Sequence, residues 1–139
     1  MNTQSTMNNI TAQRSTDQKQ ITAAIISETL FLANLLLIPV IPFLILFTMF
    51  QKHKNNPDSL AFNHIRQNFI ASILAGIFIV CVVGAFYFLS NISAAATWTI
   101  IIVYITCVHS VFVMYGIYGL SKAMGGYKVK FPFIGKKIN

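Results

Sequence analysis

The sequence predicts an all-α polytopic membrane protein with three transmembrane helices. Of its 139 residues, 55% are hydrophobic and only 9% are charged, whereas soluble domains carry about 25% charged residues. Three apolar stretches follow one another, and each is long enough for a helix that crosses a hydrocarbon core of roughly 30 Å. We place the spans at about 27–50, 67–90 and 97–121, within a single helical membrane domain of residues 21–139.

Residues 1–20 precede this domain and read MNTQSTMNNITAQRSTDQKQ. A segment this polar buries too little apolar surface to offset the entropy lost on folding. We therefore predict a disordered tail, with at most a nascent helix near its end.

The first apolar stretch, residues 21–50, is longer than one straight span requires. Pro39 and Pro42 each remove a backbone donor and crowd the preceding turn. We predict one tilted helix with a proline kink. The alternative is two half-helices broken near residues 38–42, which a membrane tolerates only where protein or a cavity covers the freed carbonyls. Glu28 lies either at the outer interface or against a polar group inside the bundle.

The second span opens with a polar collar, which consists of His64, Arg66, Gln67 and Asn68. The collar is a candidate binding site for a partner, a solute or a lipid headgroup, with Arg66 as the anion clamp. The alternative is an ordinary interfacial helix start with a snorkelling arginine. Because His64 and Gln67 are three residues apart, they share a helix face, and part of the collar can point into the bundle.

Small residues recur along the second and third spans, and they allow another backbone to approach closely. The alternative is that glycine is simply common in membrane helices. The packing residues that we predict are Ser72, Gly76, Gly84, Gly116 and Gly119.

Polar residues within the spans are candidate functional groups, and here they are His109, Asn34 and Glu28. His109 lies roughly 18 Å from the end of its span by helix rise, whereas His64 lies at the membrane edge. This difference in depth argues against a haem between the two histidines. We favour a structural hydrogen bond from His109 to Asn34, Ser72 or Thr106.

Glycines at 125 and 126 are predicted to end the third span, because glycine adopts the left-handed cap without steric cost. The following segment alternates apolar and basic residues, which predicts an extended tail with its aromatics on the membrane surface. Its lysines would face anionic headgroups: Lys128, Lys130, Lys136 and Lys137.

Basic residues near the first loop and after the third span fall on one side if there are three spans. The positive-inside rule makes this side cytoplasmic, with the C-terminus inside and the N-terminus outside. A fourth crossing within residues 21–50 would place the N-terminus in the cytoplasm.

No Ser-His-Asp set, carboxylate pair or glycine-rich phosphate loop is present, and we therefore predict no enzyme activity. Two cysteines without nearby histidine or acid make no metal pattern, and we predict neither a metal nor a cofactor. No helix carries a basic face for nucleic acid. The expected partners are anionic lipids and other membrane subunits or further copies of the chain.

Several short motifs carry a resemblance to a known family. They are Ile38-Pro39, Lys52–Lys54, the Pro57-Asp58 turn, the string Phe62–Phe69, and Ile117–Lys122 followed by Ala123, Gly125, Tyr127 and Pro132. From Leu35 onward the chain resembles small bacterial domain-of-unknown-function membrane proteins grouped with the Tic-type chloroplast import channel subunit. Arg66 stands where that pattern usually has lysine. The resemblance implies a helical membrane fold and, by analogy of fold alone, a possible translocation role.

These observations lead to two hypotheses of function. The first is a non-enzymatic accessory or structural subunit of a larger assembly in a bacterial inner membrane. The alternative is a component of transport or protein translocation.

Overall fold

The computed structural model of the chain describes residues 3–37, 40–91 and 93–130, and these residues are helical apart from short turns and segment 127–130, which has no regular secondary structure. The prediction of an all-α fold is therefore confirmed for the described residues. In chain order the helices are α1 (Thr3–Leu36), α2 (Val40–His53), α3 (Leu60–Ser90), α4 (Ala94–Val103) and α5 (Ser110–Met124), and the π-helical segment Tyr104–His109 joins α4 to α5.

Among the described residues, two helical stretches are long and apolar enough to cross a membrane. They are Leu60–Phe88, with 29 residues, and Ala94–Met124, with 31 residues. Their most apolar windows are only 17% and 6% buried, whereas a helix that is apolar all round in a soluble protein is covered by its core. The third predicted span, 97–121, falls within the second stretch, and the second predicted span, 67–90, overlaps the first stretch over residues 67–88.

The first apolar stretch differs from the prediction, because it is not a single kinked helix. Helix α1 ends at Leu36, and α2 begins at Val40. Helix α1 runs alongside α3 in the same direction: the Ala61 amide donates to Gln20 Oε1 at 3.2 Å, and further along Asn68 Nδ2 donates to Ser27 Oγ at 3.2 Å.

Helix α2 runs back along α3 in the opposite direction. The ring of Phe50 stacks on Phe62 with centroids 5.7 Å apart, and Phe43 stacks on Phe69 at 5.6 Å. Helices α1 and α2 are therefore a hairpin whose open end lies beside the start of α3. The predicted single crossing at 27–50 is replaced by the alternative of two half-helices. Pro42 lies in the first turn of α2, where a missing backbone donor is tolerated.

Residues 3–20 are helical, which corrects the prediction of a disordered tail for that part of it. They extend the packed part of α1, and a helix that is already nucleated adds one hydrogen bond for each residue that it orders. Side chains that bond the preceding turn accompany this exposed region, including Thr11 Oγ1 to the Met7 carbonyl at 2.9 Å.

A short turn reverses the chain between α3 and α4, as the uncharged sequence at 90–96 predicted. Ser93 caps α4, and its side chain accepts from the Ala96 amide. The edge-on contact between Phe78 and Phe112, with centroids 6.1 Å apart, joins α3 to α5. Helix α5 then packs against α1.

The N-terminal half of α1, the loop between α2 and α3 and the end of α5 meet at one end of the molecule. A groove of about 510 Å³ lies between them and is lined by residues that include Thr16, Gln20, Asn56, Leu60 and Gly126. The N-terminal region therefore lies at the same end as the basic loop, and not at the opposite end as three spans would require.

Candidate functional site: a buried polar cluster

The most deeply buried polar side chains lie where α1, α3 and α5 meet. Glu28 of α1 and His64 of α3 are both 0% exposed, and Glu28 Oε1 lies 2.5 Å from His64 Nδ1. A buried ionisable group requires a partner of this kind, because leaving a charge unpaired in an apolar interior is costly. Glu28 therefore pairs with a polar group inside the bundle, which is the second of its two predicted positions, and does not lie at the outer interface.

The other side of the imidazole holds the chain that follows α5. His64 Nε2 lies 2.9 Å from the Tyr127 carbonyl oxygen and donates to it, since a carbonyl can only accept. Gln67 Nε2 donates to the Val129 carbonyl, and the Val129 amide donates to Asn63 Oδ1 at 2.9 Å. Three side chains of α3 thus bind the backbone of residues 127–129.

Segment 127–130 is positioned for these bonds by the end of α5. Gly126 has φ +72°, and the Tyr127 amide donates to the Lys122 carbonyl at 2.9 Å. This is the left-handed cap predicted for the glycine pair. Val129 is then 2% exposed, whereas Tyr127 is 65% exposed with Lys122 Nζ 5.5 Å from its ring centroid. The alternating pattern predicted that these two side chains share one membrane-facing side, and the structure shows that they do not.

Two glycines of α5 allow α1 to approach the cluster. A Cβ added at Gly119 would lie 2.6 Å from Glu28 Oε1, and one added at Gly116 would lie 3.0 Å from Leu32 Cγ. A side chain at either position would push α5 away from α1. Of the predicted packing residues, these two therefore lie at a close helix contact.

The remaining packing glycines have open surroundings. A Cβ added at Gly76 or Gly84 would meet no heavy atom within 4 Å. Gly76 and Ser72 instead line an apolar groove of about 480 Å³ between α3 and the α1–α2 hairpin, together with Asn34 and Phe43. Asn34 Oδ1 and Ser72 Oγ are buried there and have no hydrogen-bond partner within the described parts of the chain.

The polar collar divides into an internal part and an external part. His64, Gln67 and Asn68 are buried and bonded to α1 or to segment 127–130. Arg66 is half-buried and takes no part in those bonds. Three of the four collar side chains therefore hold this chain together, and the collar as a whole is not arranged to bind an outside ligand.

The basic tail falls partly outside the described residues. Lys128 and Lys130 are exposed, as contact with lipid headgroups would require. Lys136 and Lys137 lie beyond residue 130, where the description ends.

His109 ends the π-helical segment within the long stretch Ala94–Met124. It is half-buried, and its ring centroid lies 6.4 Å from that of Tyr104. The hydrogen bonds predicted to Asn34, Ser72 or Thr106 are not among those made by the described residues. A π-helical turn within a long helix often marks a functional position, and His109 remains a candidate on that ground.

Ser27 and Asn63 belong to the cluster, although they are not among the predicted site residues. Ser27 accepts from Asn68 Nδ2 at 3.2 Å and donates to the Ala24 carbonyl at 2.8 Å. One signal was available, because Ser27 adjoins the single acid of an apolar stretch. No feature of the side-chain sequence predicts that α3 binds the backbone of residues 127–129.

The chemistry open to the cluster is the holding of protons between Glu28 and His64. Both ring nitrogens of His64 are bonded, so neither has a lone pair free for a metal or a substrate. Within residues 3–37, 40–91 and 93–130, no group of three or more His, Cys, Asp or Glu side chains could hold a metal ion. Cys81 and Cys107 are free and exposed.

Comparison of the chain with protein-family models, with curated proteins and with solved structures finds no match. The resemblance to the family grouped with the Tic-type import channel subunit therefore stays a prediction.

Proposed function

We propose that the chain is a small non-enzymatic integral membrane protein that serves as an accessory or structural subunit of a larger assembly in a bacterial inner membrane. The observation that carries this proposal is that the densest polar cluster binds parts of this chain to one another. Glu28 and His64 join two helices, and His64 also holds the C-terminal segment. Side chains engaged in this way support a role in architecture rather than in catalysis.

The groove beside Gly76 supports contact with another subunit. It is lined mainly by apolar residues, and its buried Ser72 hydroxyl and Asn34 carbonyl oxygen have no partner in the described chain. Such groups are costly in a hydrocarbon core, where no water satisfies them. A neighbouring helix with small or polar side chains would cover the groove and supply hydrogen bonds.

Anionic lipids are the second class of partner in this proposal. Exposed lysines lie at the end of α2, in the loop that follows it and in segment 127–130, all at one end of the molecule: Lys52, Lys54, Lys128 and Lys130. By the positive-inside rule this end is cytoplasmic, together with the C-terminus. Because the hairpin returns to the same end, the N-terminal region belongs there as well.

The test is co-purification at native expression in a mild detergent, followed by native mass measurement. We expect additional protein mass on the wild-type chain, and its loss in the variant Gly76→Leu, which fills the groove. Gly84→Leu is the matched control, because Gly84 is equally open but does not line the groove. A lone monomer in several gentle detergents contradicts the subunit role.

Transport is the second candidate, and two observations favour it. A hairpin that enters beside α3 and turns back resembles the broken helices that line pathways in transporters, and His109 adjoins a π-helical turn. If the chain transports a solute, reconstituted protein produces flux that changes on His109→Ala. Absence of flux from folded protein in sealed liposomes excludes this alternative.

A further inference from the structure

The hydrogen bonds around His64 define how many protons the Glu28–His64 pair must hold. The Tyr127 carbonyl accepts from Nε2, so this nitrogen carries a hydrogen. The 2.5 Å contact between Nδ1 and Glu28 Oε1 needs a second hydrogen, because two lone pairs would otherwise face each other. The pair therefore holds two dissociable protons and is neutral overall, whichever partner carries the shared proton.

We propose that Glu28 and His64 form a proton-dependent latch, which holds segment 127–130 against α3 only while the pair retains both protons. Loss of one proton leaves a lone pair facing either the Glu28 carboxylate or the Tyr127 carbonyl. Both arrangements are repulsive. In the first arrangement the repulsion displaces the imidazole from Glu28 and so misaligns its bond to Tyr127, and in the second the Tyr127 carbonyl loses its donor. The segment is then held by the remaining bonds of Val129 to Asn63 and Gln67.

Within the part of the chain that the structure describes, no further charged side chain forms an ion pair with Glu28 or His64. Helix α5 presents Gly119 to the Glu28 carboxylate, and Lys122 lies over the Tyr127 ring. Helix α3 adds the amide of Asn68, whose Nδ2 is bonded to Ser27. Among the described residues, several other ionisable side chains on these elements are not among the ion-pair partners of Glu28 or His64: Arg14, Asp17 and Lys19 on α1, Lys52 and His53 on α2, Arg66 on α3, and Lys128 and Lys130 in the segment.

The inference extends beyond the proposed function, because it concerns the release of the C-terminal segment and needs no partner protein. A third proton on the pair would keep both hydrogen bonds but leave an uncompensated buried charge. Release of the segment is therefore expected as pH rises and the pair loses a proton.

Thiol labelling of the full-length chain in liposomes measures this release. In a background with Cys81→Ala and Cys107→Ala, the variant Val129→Cys carries a buried reporter, and Lys130→Cys carries an exposed one. The ratio of their labelling rates cancels the ordinary increase of thiolate with pH. We expect the ratio to rise about tenfold or more as the pair loses its proton, because the bond between His64 and the Tyr127 carbonyl is then weakened or lost.

Two variants separate the latch from a general loosening of the fold. Glu28→Gln keeps the shape of the side chain, and its amide donates to Nδ1, which leaves Nε2–H directed at the Tyr127 carbonyl. The ratio should then stay low at every pH. His64→Leu removes the donor, and the ratio should be high throughout. The series runs from one pH unit below the ordinary histidine pKa, about 6.5, to three units above it. A wild-type ratio that stays constant over this range, or an equal rise in Glu28→Gln, overturns the proposal.

Discussion

Close contact between Gly119 and Glu28 makes the substitution Gly119→Ala a direct test of the packing of α5 on α1. The added Cβ would lie 2.6 Å from Glu28 Oε1, inside the 3.0 Å that real Cβ atoms essentially never cross. Overpacking of this kind costs about 1–3 kcal/mol. Replacing glycine by alanine within a helix returns about 0.5–1 kcal/mol. The balance is a loss on the order of 1 kcal/mol in the free energy of unfolding.

Gly84→Ala is the matched control, because an added Cβ there meets no heavy atom within 4 Å. This variant should keep the helix-propensity gain of about 0.5–1 kcal/mol without the clash. Reversible unfolding in mixed micelles, followed by circular dichroism, compares the two variants with the wild type. If Gly119→Ala is as stable as Gly84→Ala, the close approach of α5 to Glu28 is wrong.

Three further predictions follow from the same geometry. Glu28→Ala leaves His64 buried without its partner and should cost about 3 kcal/mol in the same unfolding measurement, whereas Glu28→Gln should stay within about 1 kcal/mol; equal stability of the two would contradict a structural role for the contact between Glu28 and His64. Because the hairpin returns to its starting end, Asn9→Cys and Asn55→Cys should react with an impermeant thiol reagent from the same side of oriented vesicles, and labelling from opposite sides would restore a single crossing. Each lysine near an anionic leaflet contributes about 1 kcal/mol to membrane binding, and the tail has four: Lys128, Lys130, Lys136 and Lys137. Replacing all four by glutamate should weaken or invert the topology of a reporter fused after Asn139, whereas replacing them by glutamine should only weaken it. An unchanged topology in the glutamate variant would exclude a role of these lysines as a lipid anchor.

Local chemistry was enough to predict the helical class, the two long apolar stretches and the cap after α5. Transfer of a side chain into hydrocarbon depends on that side chain, so a helix long and apolar enough to cross a membrane can be predicted without knowledge of its neighbours. The left-handed conformation of Gly126 is likewise a property of glycine itself. In the same way, the uncharged linker at 90–96 predicted the hairpin between α3 and α4.

Tertiary contacts decided the path of residues 21–50, and hydropathy could not. A kinked span and a hairpin of two half-helices bury the same apolar residues, and they differ in whether α2 packs back along α3. The stacked rings of Phe43 on Phe69 and Phe50 on Phe62 select the hairpin. Helix α1 also orders residues 3–20, whose composition alone predicted disorder, because its packed part supplies the nucleus.

The partners of the buried polar groups were likewise decided only by the tertiary structure. His64 contacts Glu28, which is 36 residues away in the sequence, and the carbonyl of Tyr127, which is 63 residues away. A sequence shows which groups require a partner, because an unpaired buried polar group is costly for any fold. It does not show which partner is within reach, since this depends on the direction in which each helix runs. The physical requirement was visible in the chain, and the three-dimensional path of the backbone determined how it was met.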